Sequence, residues 1–320
     1  MDPYREPQFI PKYRSQFGGL WTDLSNALDI VKGKVDLGTI DRKEAEQLRG
    51  FIENGFAVFP GAIPRRHIRR LNDDIERIWE CERPDAWVSC VENERSWVRK
   101  IKPHDRESAG MQTKLLDLYE YSENARRVMF NETIVKFLQL IFERPILAHQ
   151  SLGFYRGSKQ PIHRDTAFVR ISSPMELAAA WIALEDIQEG SGELEYYPKS
   201  HLYPDFLFEG KYKWFPPGNE ELGEFYADLK QRAQEAGVEA IKFRPKAGDV
   251  FIWSADLAHG GSDFHNDHLT RKSLVIHYCP SNVDPMYYTY NGKTEKHLYK
   301  KGCYYTAAPK ALWRSGGLDD

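Results

Sequence analysis

Residues 246–261 read "KAGDVFIWSADLAHGG": a turn, a strand and a histidine in that order. Lys246-Ala-Gly-Asp249 has turn composition, and the Val, Phe, Ile and Trp after it are β-rich and of buried-strand length. His259 closes the strand against Gly260 and Gly261, whose bare backbone lets the ring approach a metal closely. Upstream, "QPIHRDTAFV" from Gln160 carries His163-x-Asp165, and on a strand two such residues project from one face. Alone that pair is an ordinary polar pair at a sheet edge. With His259 it becomes two imidazoles and a carboxylate, the set that ligates non-haem Fe(II) on one face and leaves other positions open.

Arg271 follows His259 by twelve residues and stands just inside the next β-rich run, "RKSLVIHY". A hairpin of that length returns it to the same end of the sheet. Charge gives it a task. Two positive charges from iron, one negative from Asp165 and two negative from a bound 2-oxoglutarate leave one negative charge uncompensated. A guanidinium holding the far carboxylate by two parallel hydrogen bonds supplies both the charge and the orientation. Ser273, two residues on and on the same strand face, is a candidate donor to that carboxylate.

These pieces together resemble the phytanoyl-CoA dioxygenase family of Fe(II)/2-oxoglutarate-dependent oxygenases. The matching residues are His163-x-Asp165, "AAWIALEDIQEGSGELEYYPKSH", "KAGDVFIW", His259-Gly-Gly and Arg271, which in order and spacing cover about residues 112–281. The resemblance implies an all-β core, a cupin-like double-stranded β-helix or jelly roll, with flanking N-terminal helices. It also implies Fe(II), with 2-oxoglutarate and O2 as cosubstrates, and hydroxylation of an unactivated C–H bond. By family position Trp181 lies beside the cosubstrate, and Lys114 in "TKLLDL" resembles a lysine that contacts it. Gln150 falls where some relatives place a polar contact.

The chain has 320 residues, 41% of them apolar, enough to bury a sizeable core. Lys plus Arg number 44 against 47 Asp plus Glu, a balance that argues against a nucleic-acid binder. "PRRHIRR" at 64–70 is then a solvated helix face. The longest apolar run, "LAAAWIAL", is strand length, so no membrane span is expected. "MDPYREPQFIPKYR" lacks the apolar core of a signal peptide, and "GGLDD" is not a peroxisomal signal of the S-K-L kind. Four cysteines without a C-x-x-C pair suit free thiols in a reducing compartment, so a cytoplasmic protein acting on a small molecule is expected. The oligomeric state is left open.

Along the chain, residues 1–40 read as an arm and 41–145 as a helical flank. Asp41 and Glu44 form a capping-box pattern, Gly55 ends that helix, "AVFPGAI" is a short strand, and Pro64 opens a second helix. From 146 to 281 short β-rich runs alternate with turns, interrupted by one helical insert at 219–236, and 282–320 form a C-terminal extension. The whole is expected to be one domain.

His265 and His268 read as solvated loop residues and His277 as a hydrogen-bonded barrel histidine. The aromatic stretch from Tyr196 to Phe215 reads as core or lid packing, with one or two rings lining the substrate pocket. "EGSGE" is a hairpin turn rather than a phosphate loop, and Glu193 and Glu195 face solvent. Lys199, Lys211 and Lys213 are candidates for coenzyme A phosphates, but interspersed acids argue against assuming an acyl-CoA. The alternative function is a zinc-dependent hydrolase or a non-oxidative cupin-like ligand-binding protein, since the same ligand set can hold Zn2+. Arg271 separates them, because a hydrolase has no use for a carboxylate clamp beside its metal.

Overall fold

The computed structural model describes residues 12–92, 95–103, 105, 113–266, 268–286 and 294–306. The first eleven residues of the arm and residues 307–320, with the Gly-Gly-Leu-Asp-Asp end, lie outside the described residues. After α1 (Ala27–Asp36) comes α2 (Arg42–Asn54). Asp41 Oδ1 accepts from the Glu44 amide at 2.8 Å, and Glu44 Oε2 accepts from the Asp41 amide at 2.7 Å. The helix stops at Gly55, whose φ of 87° is left-handed. β1 (Phe56–Phe59) and α3 (Arg65–Trp79) follow, the helix burying Ile68, Leu71, Ile75, Ile78 and Trp79 along one stripe.

The flank is not purely helical. β2 (Trp87–Glu92), β3 (Arg95–Lys100) and β4 (Lys114–Leu116) come before α4 (Leu118–Tyr121), α5 (Glu123–Met129) and α6 (Glu132–Phe142). The remaining elements are β5 (Ile146–Phe154), β6 (Ala178–Ala183), β7 (Leu194–Tyr196), α7 (Leu222–Glu235), β8 (Ile241–Phe243), β9 (Val250–Ser254), β10 (His259–Gly261), β11 (Ser273–Pro280), β12 (His297–Lys300) and β13 (Cys303–Tyr305). No described helix is long and apolar enough to cross a membrane.

The large sheet runs β1-β9-β6-β11-β5-β4-β2-β3, and a small sheet runs β10-β7-β8. Pairing is antiparallel throughout, except where β13 joins β5 in parallel over Ile146–Ala148. Period-two alternation gives the large sheet two apolar faces. Ala178, Ala180 and Ile182 of β6 join the buried cluster that includes α2, α3 and α6. Ala179, Trp181 and Ala183 point the other way, into a cluster with Leu194 and Tyr196 of the small sheet. The second cluster fills the space between the sheets.

One bulge decides what reaches that space. On β5, Ala148 pairs with Tyr278 while Gln150 pairs with His277, leaving His149 as an extra residue. Simple alternation would place Gln150, Leu152 and Phe154 on the helix-covered side with Ile146 and Ala148. The extra residue inverts the parity, so Leu152 and Phe154 pack in the inter-sheet cluster.

The turn into β9 depends on Gly248. Its φ is 95°, its amide donates to Ala183 O at 2.9 Å, and its carbonyl accepts from the Ile63 amide at 2.9 Å. A Cβ there would stand 2.2 Å from the Ile63 carbonyl oxygen, which is backbone and cannot swing aside. Gly248→Ala should therefore cost at least about 1–3 kcal/mol of stability, the strain of a non-glycine residue in this conformation, seen as a lower denaturant midpoint. An unchanged midpoint would show that the turn relaxes freely.

Candidate metal centre

The segment leaving β5 crosses to the small sheet and makes one bridge to it. The His163 amide donates to His259 O at 2.8 Å, and the His259 amide donates to His163 O at 2.9 Å. A Cβ at Gly260 would lie 2.7 Å from Gln160 O, and one at Gly261 2.6 Å from Ser158 Oγ. The glycines after His259 therefore make room for the incoming chain, not for a metal as the sequence suggested. Asp165 also differs from expectation, because it opens a 3-10 turn (Asp165–Ala167) instead of continuing a strand.

The three side chains nevertheless converge. One ligand atom from each of His163, Asp165 and His259 lies within 4.8 Å of the others, and all three residues are buried. Nε2 of His163 is 3.9 Å from Asp165 Oδ1, and Nε2 of His259 is 3.6 Å from it. Both rings are oriented by their own chains: Nδ1 of His163 meets Pro161 O at 2.8 Å, and Nδ1 of His259 meets Leu257 O at 2.9 Å. A carbonyl only accepts, so each Nδ1 carries a proton, and in the neutral ring it is Nε2 that presents the lone pair. Burial, reinforced by His259, lowers the His163 pKa to about 3, which keeps that lone pair free at neutral pH.

Asp165 is held from the other side. Trp253 Nε1 donates to its Oδ2 at 2.7 Å, leaving Oδ1 facing the histidines. Burial works against its charge, but His259, His277 and His163 hold its pKa well below the usual carboxylate range. His277 places Nε2 3.4 Å from the same Oδ1, a contact the sequence did not disclose.

A buried ionic cluster, also invisible in the sequence, braces the turn around Asp165. Thr166 Oγ1 donates to Asp256 Oδ1 at 2.7 Å, and Lys213 Nζ donates to Asp256 Oδ2 at 2.5 Å and also to Asp205. Arg164 Nη1 lies 3.7 Å from Asp256 Oδ2, and this guanidinium also donates to the carbonyls of Ser200, Tyr203 and Pro204. Lys213 is thus fully engaged inside the protein and cannot meet a coenzyme A phosphate. Lys199 and Lys211 are exposed, Lys211 resting over the Tyr212 ring.

The ligands open onto a cavity of about 220 Å3 that Lys114, Gln150, Trp181 and Arg271 also line. Gln150 reaches it because of the β5 bulge. Arg271 is 3% exposed, and Nη1 donates to Ser273 Oγ at 2.7 Å. It forms no ion pair among the described residues, its Nε is buried without a partner, and its guanidinium stands 5.0 Å from the Phe154 ring centre and 5.8 Å from that of Trp181. The Trp181 indole nitrogen is likewise buried without a partner among the described residues. Burial lowers the Arg271 pKa to about 10, and burial together with Arg271 lowers that of Lys114 to about 8. Ser273 is wholly buried behind Arg271 and is not part of the cavity wall.

Other residues fall elsewhere. His265 and His268 are exposed. Glu193 is buried rather than solvent-facing, accepting from the Gly190 amide and Ser262 Oγ, each at 3.1 Å. The Tyr196–Phe215 aromatics are absent from the cavity wall; Phe206, Phe208, Tyr212 and Phe215 pack with Phe225 of α7, and Phe168 lines the cavity instead.

Comparison with known proteins fixes the family. A model of the phytanoyl-CoA dioxygenase (PhyH) family matches residues 51–273. The chain belongs to the phytanoyl-CoA dioxygenase family. Peroxisomal phytanoyl-CoA dioxygenase of Homo sapiens is 22% identical over 270 residues, 80% of this chain and 73% of the relative. Among solved structures, the epimerase SnoN in complex with Fe3+, alpha ketoglutarate and nogalamycin RO aligns with a TM-score of 0.59 at 15% identity, covering 82% of this chain and 98% of that one. The carbocyclase SnoK aligns at 0.54 with 16% identity, over 78% and 87% of the two chains. These likenesses show the cupin-like fold.

Trp253→Phe removes the donor to Asp165 Oδ2 while keeping an aromatic ring in the core. Outer partners of metal ligands are typically worth about 10–100-fold in metal affinity, and a loss in that range is expected in Mn2+ titrations. A folded variant with wild-type affinity would show that Asp165 needs no such support.

Proposed function

We propose that this member of a family of non-haem iron, 2-oxoglutarate-dependent oxygenases hydroxylates an unactivated C–H bond of a small-molecule metabolite, releasing succinate and CO2. The observation that carries the reading is the joining, in one cavity, of the His163–Asp165–His259 set with a buried guanidinium that has no carboxylate partner among the described residues. The donor set fits iron: two imidazole nitrogens and one carboxylate oxygen on one face. The cavity fits 2-oxoglutarate, since Arg271 Nε and Trp181 Nε1 are buried donors awaiting an acceptor. Iron held there supplies the activation of O2, with 2-oxoglutarate as the reductant.

The chain's own residues have distinct tasks in this reading. His163 and His259 offer Nε2, and Asp165 offers Oδ1. Arg271, oriented by Ser273, grips the far carboxylate of 2-oxoglutarate, and an anion there offsets the cost that burial imposes on its charge. Trp181 donates beside it. Lys114, with Nζ 5.5 Å from the centre of the Phe154 ring that Arg271 also faces, adds positive charge at the same end of the cavity. Gln150 is a polar contact from the bulged strand. Leu152, Phe154 and Val275 close the wall against water. The buried guanidinium also speaks against a zinc hydrolase. The N-terminal helices serve as the flanking layer, and the free thiols of Cys81, Cys279 and Cys303 suit a cytoplasmic protein.

Fe(II) and 2-oxoglutarate added without oxygen to metal-free protein should give a visible charge-transfer absorption, and oxygen should then release succinate. Absence of the band would overturn the reading. Arg271→Lys keeps the charge and loses the two-pronged geometry, so 2-oxoglutarate binding should weaken by about 1–3 kcal/mol, the scale of hydrogen bonds to charged groups. Fe(II) affinity should stay unchanged. Lost metal with intact cosubstrate affinity in a calorimetric titration would contradict the assignment.

A further inference from the structure

Gln160 has a place at this site that neither the ligand set nor the cosubstrate clamp explains. Its side-chain nitrogen lies 3.2 Å from Nε2 of His163, the nitrogen a metal would use. Because Nδ1 of that ring is committed to donating to Pro161 O, Nε2 is an acceptor, and the contact is an amide N–H donating into the ligand lone pair. This is the only hydrogen bond of the Gln160 side chain among the described residues. An imidazole nitrogen has one lone pair in the ring plane, so the amide and a metal cannot both have it.

The backbone of Gln160 is poorly placed to withdraw when the lone pair is taken. Its amide donates to Ser158 Oγ at 3.2 Å, its carbonyl accepts from the Gly261 amide at 2.9 Å, and Pro161 fixes the next φ. The carbonyl also presses against Gly260, where a Cβ would stand 2.7 Å away. Only the side chain turns. It turns within the cavity whose wall it forms with Lys114 and Arg271, and onto which the three ligand residues also open, so its two N–H groups stay in reach of what binds there.

We propose that Gln160 competes with the metal for His163 and, once displaced, donates a hydrogen bond to a metal-side oxygen of 2-oxoglutarate. The proposal rests on the oxygenase reading above and adds a residue to it. It has an unusual signature: removing the amide acts with opposite sign on the two binding steps. Loss of a competitor tightens the metal, and loss of a donor loosens the cosubstrate. A residue that merely packs the loop would weaken both.

The test is a pair of oxygen-free titrations, Mn2+ into metal-free protein and then 2-oxoglutarate into the Mn2+ complex, for wild type, Gln160→Leu and Gln160→Glu. For Gln160→Leu, Mn2+ should bind about two- to tenfold tighter and 2-oxoglutarate about two- to tenfold weaker, the net worth of one hydrogen bond in each step. Gln160→Glu places an anionic oxygen beside the metal and should shift both constants further in the same directions. Gln160→Leu with both constants unchanged, or with both weakened, overturns the proposal, as does Gln160→Glu binding Mn2+ more weakly than wild type. Tighter Mn2+ with unchanged 2-oxoglutarate overturns the cosubstrate contact. Wild-type protein that binds neither probe would overturn the oxygenase reading itself, a result distinct from wild-type binding with silent variants.

Discussion

Two backbone hydrogen bonds, exchanged between His163 and His259, hold the centre of this protein together. The residues come from distant parts of the chain, one on the segment after β5 and the other on β10. Residues that exchange both bonds across an antiparallel bridge project their side chains to the same face, and here the two rings stand 4.6 Å apart, centre to centre. The bridge forms only because the partner chain can come close. Gly260 and Gly261 permit that approach, so their role is in assembling the ligand pair.

From that bridge outward, each ligand is fixed by a group with one possible role. Both histidines meet a carbonyl two residues back along their own chain, which sets the tautomer and the ring plane together. Asp165 receives the Trp253 indole on one oxygen and keeps the other for the histidines. Arg164 and Thr166, its immediate neighbours, contact Asp256, which lies three residues before His259. The sequence places these contacts next to the ligands, but the pairing crosses some ninety residues of chain and has no local signal.

That difference accounts for what could be read in advance. His163, Asp165, His259 and Arg271 were legible because their chemistry demands particular atoms and the intervening strands count the spacing. Trp181 and Lys114 were carried by family resemblance, and both line the cavity. The direction of Gln150 was not legible, since the β5 bulge reverses parity without any special residue to mark it. Glu193 read as solvent-facing and Lys213 as a lysine free to meet a coenzyme A phosphate, because charged residues usually stand at the surface. Each is buried against partners that lie elsewhere in the chain, Glu193 with Ser262, and Lys213 with Asp205 and Asp256. Strands β2 to β4 escaped notice for a similar reason: β2 and β4 are stabilised by pairing with each other, and β4 by pairing with β5.

The two buried charge clusters beside the ligands make opposite use of electrostatics. In the bracing cluster, Arg164 and Lys213 face Asp205 and Asp256, so cations and anions balance. Burial would raise the Asp256 pKa, yet Lys213 and Arg164 hold it below its ordinary value. Such a cluster is complete in itself and gains nothing from a further ion, which suits a support. The cavity is unbalanced. Arg271 and Lys114 bring two cations to one end, and apart from Asp165 no carboxylate among the described residues lines the wall; burial lowers both pKa values, and Arg271 lowers that of Lys114 further. Burying charge without a partner is costly, and the deficit is relieved by an anion that arrives from outside. In the function proposed above, Arg271 would hold one carboxylate of a dicarboxylate and so meet that deficit. On that reading, the uncompensated cations that are costly to bury are the groups that would hold the cosubstrate.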